Sequence, residues 1–195
     1  MSTAGFSEWA IAHSPSQHSA TPVLAKQISS EQTAPLYEGL STYNYPISTQ
    51  NSLAQRYFNQ GLLLAYGFNH AEAARSFQKA VTLDPNCAMC YWGMALVLGP
   101  NINAGMEKDA VSPAWTALQK VIKLSKSANP REQALIQALT QRYTPQPLAD
   151  RKPLNLAYAN AMGKVAQSQS PVHPCGLEGT SRTGVKTGYP YLMLA

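Results

Sequence analysis

Two cysteines three residues apart, Cys87 and Cys90, form the pair of side chains in this sequence that is best suited to chemistry. This interval is close to one helical turn, so both sulfur atoms would face one side of a helix start, where a thiol pKa is lowered. The pair could bind a metal ion or undergo thiol chemistry, although two ligands do not complete a zinc site and no second CxxC occurs. Tyr91 stands where covalent haem attachment requires histidine. The alternative is that both cysteines are small buried side chains between helices.

A group of polar side chains near two expected loops is the second candidate site. Its members are a histidine and three asparagines, with Glu72 as a nearby carboxylate: Asn69, His70, Asn101 and Asn103. In a helical hairpin array, the loop that follows the third helix returns near the start of the second helix. The group could then hold a small ligand or a metal ion. Alternatively, His70 and the asparagines hydrogen-bond the loop and cap helix ends.

The sequence gives little support for acid–base catalysis or phosphate binding. Aspartate and glutamate together number 10, and the chain contains no Gly-x-Ser-x-Gly motif. The run from Gly179 to Gly184 resembles a phosphate-binding loop, but Lys186 does not directly follow the second glycine, and no strand or helix flanks the run. The sequence therefore predicts no catalytic residue and no cofactor, and it gives no support for an enzyme.

The elements that would position these groups follow a repeat of about 34 residues. With Ala54 as its first position, the stretch Leu53–Pro85 carries small, aromatic and turn residues at the signature positions of a tetratricopeptide repeat: Tyr57, Gly61, Ala73, Phe77, Ala80 and Pro85. The small residues let two helices cross closely, the aromatic rings fill the hollow beside them, and the proline stops the second helix. This pattern predicts one helical hairpin, with Asn69 as the N-cap of a helix over His70–Leu83.

Moving the repeat pattern along the chain by its length of about 34 residues predicts further helices. It places Cys87–Leu98 on Leu53–Leu64, so a second hairpin begins near Asn86. An insert of about ten residues delays its second helix, which we expect at Pro113–Ser125. Two more apolar-faced helices are expected at Arg131–Tyr143 and Leu154–Gln167. The fold class predicted is therefore all-α, a tetratricopeptide-like helical hairpin array.

Composition divides the chain into four parts. They are a flexible arm at 1–35, an approach segment at 36–51, a helical domain at 52–167 with repeats at about 54–87, 88–129 and 130–167, and a disordered tail at 168–195. The approach segment is expected to lay Tyr43 and Tyr45 on the first hairpin. Because repeat arrays usually end in a polar capping helix, the pattern predicts that the chain is the front part of a longer protein.

The succession of motifs resembles a group of bacterial tetratricopeptide-repeat proteins of largely uncharacterised function. The motifs are QGL, FNHAEA, LDP, CAM, WG and GPNIN, which lie here at Gln60–Leu62, Phe68–Ala73, Leu83–Pro85, Cys87–Met89, Trp92–Gly93 and Gly99–Asn103. The resemblance spans about Leu36–Gln167 and includes the insert. It implies an interaction scaffold that is longer than this chain, and it transfers no catalytic residue.

In such an array, the concave wall is lined by the first helix of each repeat. The wall positions are Gln55, Phe58, Asn59, Leu62, Met89, Trp92 and Leu96. They are apolar or aromatic and include no lysine or arginine, which favours an apolar helix or extended peptide as the ligand. Alternatively, the approach segment or further repeats of the parent protein occupy this wall. A small-molecule, metal-binding or redox protein is the rival function.

The overall charge of the chain excludes few classes of function. The formal net charge is +5 and the sequence pI is about 9.1. The densest basic run, Lys120, Lys123 and Lys126, is more typical of a solvated helix face than of a nucleic-acid surface. The sequence shows no signal peptide and no apolar run of about 18 residues. We therefore expect a cytoplasmic protein with a protein or peptide partner, and neither nucleic-acid binding nor a transmembrane segment.

Overall fold

A computed structural model describes residues 34–40 and 43–169 of the chain. Within these residues there are six α-helices and no β-strand: α1 Ser52–Tyr66, α2 His70–Leu83, α3 Ala88–Leu98, α4 Val111–Leu124, α5 Pro130–Leu139 and α6 Lys152–Gln169. Two single-turn 3-10 helices, Lys108–Ala110 and Ser125–Ser127, precede α4 and follow it. The predicted all-α class is confirmed for this part of the chain, whereas the predicted arm and tail lie almost wholly outside it.

The first helix pair begins and turns where the capping residues predict. The Asn51 side chain accepts hydrogen bonds from the backbone N–H groups of Leu53 and Ala54, which caps α1. The chain reverses through Phe68, which has a φ of 59°. The Asn69 side chain then accepts from the Glu72 N–H and caps α2. The helix at His70–Leu83 agrees with the prediction in both of its bounds.

Phe77 is the packing centre of the first three helices. Its buried ring lies 5.5 Å from the ring of Phe58, measured between centroids. A Cβ atom added to Gly61 of α1 would lie 2.7 Å from the Phe77 ring, and one added to Gly93 of α3 would lie closer still. Both glycines therefore let their helices approach the same aromatic ring on α2. This close crossing is the role that the repeat pattern predicts for small residues.

α3 is the central helix of the described structure. Its side chains are buried on nearly every side, as expected for a helix that is apolar all round. The helix begins at Ala88, two residues after Asn86, near which the second hairpin was expected to begin. Cys87 is the N-cap, and its sulfur accepts a hydrogen bond of 3.1 Å from the Cys90 N–H. α4 begins at Val111, two residues before the predicted start at Pro113.

The third helix pair differs from the prediction at the end of α5. The start is well defined, since Asn129 and Glu132 form a reciprocal capping box. The helix ends at Leu139, although the apolar pattern predicts an end at Tyr143. The Tyr143 hydroxyl donates to the Ala95 carbonyl of α3. This bond to a distant helix requires the chain to leave α5 early and fold back.

None of the helices in the described ranges combines the length and the apolar content that crossing a bilayer requires.

Candidate functional site

The predicted concave wall holds the backbone of the chain's own approach segment. Gln55 of α1 accepts a hydrogen bond of 2.9 Å from the Ile47 N–H and donates one of 2.8 Å to the Tyr45 carbonyl. The Asn59 carboxamide accepts one of 3.1 Å from the Tyr45 N–H and donates one to the Asn44 side chain. Two wall carboxamides thus bind the backbone N–H and C=O groups of Tyr45 and the N–H of Ile47.

Gln60 extends this clamp toward the start of the described chain. It accepts a hydrogen bond of 2.8 Å from the Tyr37 N–H and donates one of 2.9 Å to the Pro35 carbonyl. The Tyr57 hydroxyl donates to the Ala34 carbonyl at 3.0 Å. Gln60 is not among the wall positions that the repeat predicts. The structure gives it a function, because a buried glutamine can bind two backbone groups of the segment.

The other side of the approach segment lies against α5. The Ser48 N–H donates to the Glu132 carboxylate at 2.6 Å. The Arg131 guanidinium lies 4.5 Å from the centre of the Tyr45 ring. The segment is therefore held between α1 and α5, the first and fifth helices. In this structure it lies on the predicted wall, where we expected a ligand to bind.

The apolar residues of the predicted wall are in the core. Those with at most 3% of their surface exposed are Phe58, Leu62, Met89, Trp92 and Leu96. The Phe58 ring lies 6.3 Å from that of Tyr45, and the Trp92 indole donates to the Leu135 carbonyl of α5. Within the described residues, this face thus has no open apolar groove. The approach segment lies on the wall, as one of the alternatives expected, and α5 also contacts it through Leu135.

Cys87 and Cys90 are joined by a disulfide bond, and both are fully buried. The expectation of small buried side chains is correct for their location, but the bond itself was not predicted. Oxidised sulfur atoms are not available as metal ligands. In the described ranges, no three His, Cys, Asp or Glu side chains come together in a way that could hold a metal ion.

The asparagines of the second candidate site have local structural roles. Asn69 caps α2. The Asn101 side chain accepts hydrogen bonds from the N–H groups of Asn103 and Ala104, at 2.8 and 3.1 Å, and so stabilises the turn after α3. His70 is different, because both of its ring nitrogens are buried and neither has a hydrogen-bond partner among the described residues. The histidine therefore stays a candidate for ligand binding.

Sequence reasoning did not identify Arg142, a buried cation whose charge acts on His70. Its side chain is 2% exposed and donates a hydrogen bond to the Pro100 carbonyl. Its guanidinium lies 4.5 Å from the centre of the Tyr158 ring and 6.0 Å from that of Tyr143. Burial, together with the positive charge of Arg142, lowers the pKa of His70.

Two further side chains complete this group. Arg151 donates a hydrogen bond of 2.6 Å to the Arg142 carbonyl, and its guanidinium lies 5.9 Å from the centre of the Tyr143 ring. Burial of the Tyr66 hydroxyl raises its pKa, and Tyr43, Tyr45 and Tyr158 raise it further. We call the set the basic-aromatic cluster: Tyr66, His70, Arg142, Tyr143, Arg151 and Tyr158. Its members come from three helices and one connection, so no local spacing in the sequence could reveal it.

Comparison with known proteins does not add a family. Neither a protein-family model, nor a curated protein, nor a solved structure matches the chain. The resemblance to bacterial tetratricopeptide-repeat proteins therefore stays an expectation that depends on the sequence motifs. Functional inference depends on the geometry of the wall and of the basic-aromatic cluster.

Proposed function

We propose that this chain is a helical-repeat scaffold of tetratricopeptide type, which binds an extended polypeptide segment on the wall formed by α1. The observation that carries the proposal is the set of hydrogen bonds from Gln55, Asn59 and Gln60 to the backbone of residues 35–47. Backbone groups are the same in every sequence, so these carboxamides suit any extended chain, and side-chain contacts supply the specificity.

The packing of the first helices supports the repeat assignment. Gly61 and Phe77 occupy signature positions, and the structure brings them into direct contact. The successive pairs α1 with α2 and α3 with α4 pack against each other and share α2–α3 contacts, as neighbouring hairpins do in such arrays.

The approach segment acts, in this proposal, as an intramolecular ligand of the wall. Its anchors are Tyr45 and Ile47, which are 5% and 8% exposed. A tethered segment competes at an effective concentration on the order of millimolar, so a partner must displace it. The expected partner is therefore a protein with an extended segment that offers an aromatic and an aliphatic side chain two residues apart.

The test uses the full chain and a labelled peptide with the sequence of Tyr43–Gln50. We expect weak binding to the unaltered chain, because the wall is occupied. Replacing Tyr45 and Ile47 by alanine removes the anchors and should tighten peptide binding at least about tenfold. Adding Gln55→Ala to this variant should weaken binding by about tenfold, because two hydrogen bonds to the peptide backbone are lost.

Gln137→Ala is the matched control, since it removes an exposed carboxamide on α5. Binding should be the same with and without this substitution. The proposal is wrong if the anchor variant, still folded by circular dichroism, does not bind the peptide. It is equally wrong if Gln55→Ala and Gln137→Ala change the affinity to the same extent.

The metal alternative has less support than at the outset, because Cys87 and Cys90 are bonded to each other. The redox alternative has less support because both cysteines are fully buried, and thiol–disulfide exchange requires access to a sulfur atom. Of the rival functions, the one favoured by a specific observation is small-ligand binding near His70.

A further inference from the structure

A groove between α2 and α4 takes no part in the wall or in the basic-aromatic cluster. Its volume is about 720 Å³, and α3, which packs against both helices, lies beneath it. We call it the α2–α4 groove, and the residues that define it are Val81, Tyr91, Met94, Thr116, Ala117 and Lys120. Sites for small molecules usually have volumes of about 300 to 1,000 Å³.

The inner surface of the α2–α4 groove is apolar. Val81, Met94 and Ala117 come from three different helices and belong to the hydrophobic core, and each of them also lines the groove. Pro113 of α4 adds a further apolar side chain. Among the described residues that line the groove, Lys120 alone is charged and none is acidic. Binding an apolar group there would remove apolar surface from water, which stabilises the complex in proportion to the area buried.

One edge of α4 gives the groove a polar rim. Ser112, Thr116 and Lys120 are spaced four residues apart, so they lie on the same face of the helix, and all three are exposed. From the first of these residues to the last, the helix rises by about 12 Å. The apolar lining thus extends along about two turns of α4, which suits an elongated ligand.

Lys120 places a positive charge above the groove. Its ammonium group lies 5.6 Å from the centre of the Tyr91 ring, so the side chain reaches back over α3 instead of extending into solvent. Among the described residues, Lys120 forms no ion pair with a carboxylate. The Asp84 carboxylate at the end of α2 already accepts hydrogen bonds from the Thr49 hydroxyl and the Asn86 N–H. The ammonium group is therefore well placed to bind an anion.

We propose that the α2–α4 groove binds a small aliphatic monocarboxylate, with its carboxylate at Lys120 and its chain along Val81, Met94 and Ala117. Charge and shape together select this class of ligand. One ammonium group balances the single charge of a carboxylate, whereas a phosphate monoester brings a charge of about −1.5 to −2. The groove shares no residue with the polypeptide-binding wall, so either proposal can fail without the other.

The experiment follows the methionine methyl signals of the full chain by NMR. Sodium octanoate, 1-octanol and sodium acetate are added separately at constant ionic strength. We expect octanoate to shift the Met94 signal with half-saturation on the order of millimolar, which is usual for a ligand of about ten non-hydrogen atoms. The signal of Met89, which is buried on the predicted wall, should stay unchanged.

The other two compounds separate the contributions of chain and charge. Acetate has the charge without the chain, so it should leave the Met94 signal unchanged. 1-Octanol has the chain without the charge, so it should bind at least about threefold more weakly than octanoate. On a surface that is merely apolar, the neutral alcohol would bind at least as tightly as the carboxylate, because it loses less hydration.

Two variants test the location of the charge. Lys120→Gln should weaken octanoate binding at least about threefold and leave 1-octanol binding unchanged. Lys123→Gln removes an equal charge from an exposed position about one turn further along α4 and should leave both affinities unchanged. If Lys120→Gln fails to fold, the comparison of octanoate with 1-octanol in the unaltered chain still decides.

Four results would overturn the proposal. The first is a Met94 shift that grows linearly with octanoate and does not saturate. The second is binding of 1-octanol as tight as that of octanoate. The third is an equal loss of octanoate affinity in Lys120→Gln and Lys123→Gln, which would assign the effect to the net charge of the chain. The fourth is a Met94 shift that follows the concentration of the chain alone, which would mean that a second copy covers the groove.

Discussion

At the scale of single residues, the contact of Phe77 with two glycines fixes how closely three helices pack. A Cβ atom at position 93 would overlap the Phe77 ring, which is fully buried and has little room to move. The small residue at this position is thus required by packing and not by a turn.

We therefore predict that Gly93→Ala lowers the free energy of unfolding by about 1–3 kcal/mol, the usual cost of overpacking. Urea denaturation measures it. The control is Gly163→Ala in α6, where an added Cβ meets no atom within 4 Å. This substitution should be neutral or stabilise by up to about 1 kcal/mol, because alanine favours helix. Equal effects of the two substitutions would contradict the packing argument.

His70 makes stability depend on pH. Because burial and the charge of Arg142 lower its pKa in the folded chain, the unfolded chain binds more protons near the ordinary histidine pKa. The contribution of His70 is therefore fully present above about pH 6.5 and is lost as the pH falls below it, toward the lower pKa of the folded state.

We predict that the melting temperature of the unaltered chain falls between about pH 6.5 and pH 5 more steeply than that of His70→Gln. The measurement is thermal unfolding in a buffer without phosphate or carboxylate. The other histidines of the chain are present in both proteins and serve as the internal control. A decrease of the same size in both would show that His70 is not the group responsible.

At the scale of elements, the sequence was informative where local chemistry decides the structure. The Asn51 and Asn69 caps and the bounds of α2 follow from residues within a few positions of each helix end. The end of α5 did not follow, because the bonds of Arg142 and Tyr143 to the end of α3 connect residues more than 40 positions apart.

The candidate sites also differ in whether local sequence or distant contacts determine them. The wall position of Gln55 could be predicted from the repeat, since it depends on helical spacing. Whether the wall is open to a ligand or occupied by the chain depends on Tyr45 and Ile47. Their segment has no helical period, so the sequence left both alternatives open. Arg151 and Tyr158 gave no signal, because their neighbours are assembled by tertiary packing.

Glu132 connects two elements, which gives a prediction at this scale. Its carboxylate accepts from the Asn129 N–H at the start of α5 and from the Ser48 N–H of the approach segment. Glu132→Ala should lower the free energy of unfolding by about 2–3 kcal/mol, because two buried bonds to a charged acceptor are lost. Urea denaturation measures the change, with Gln137→Ala as the exposed control. A loss no larger than that of the control would contradict this role.

At the scale of the whole molecule, the described residues form three helix pairs around an extended segment of the same chain. The segment contacts α1 through Gln55 and Asn59, and it contacts α5 through Arg131 and Glu132. This arrangement explains why the residues expected to form an open groove are buried. It also means that binding of a partner on this face requires the segment to leave.

The most direct test of this account is hydrogen exchange at the amides of Tyr45 and Ile47. Both donate to carboxamides of α1, so we predict that they are protected in the unaltered chain. Gln55→Ala should accelerate exchange at Ile47 by about tenfold or more and leave the core amides of α2 unchanged. Exchange of both segment amides at the rate of an unstructured peptide in the unaltered chain would contradict the account.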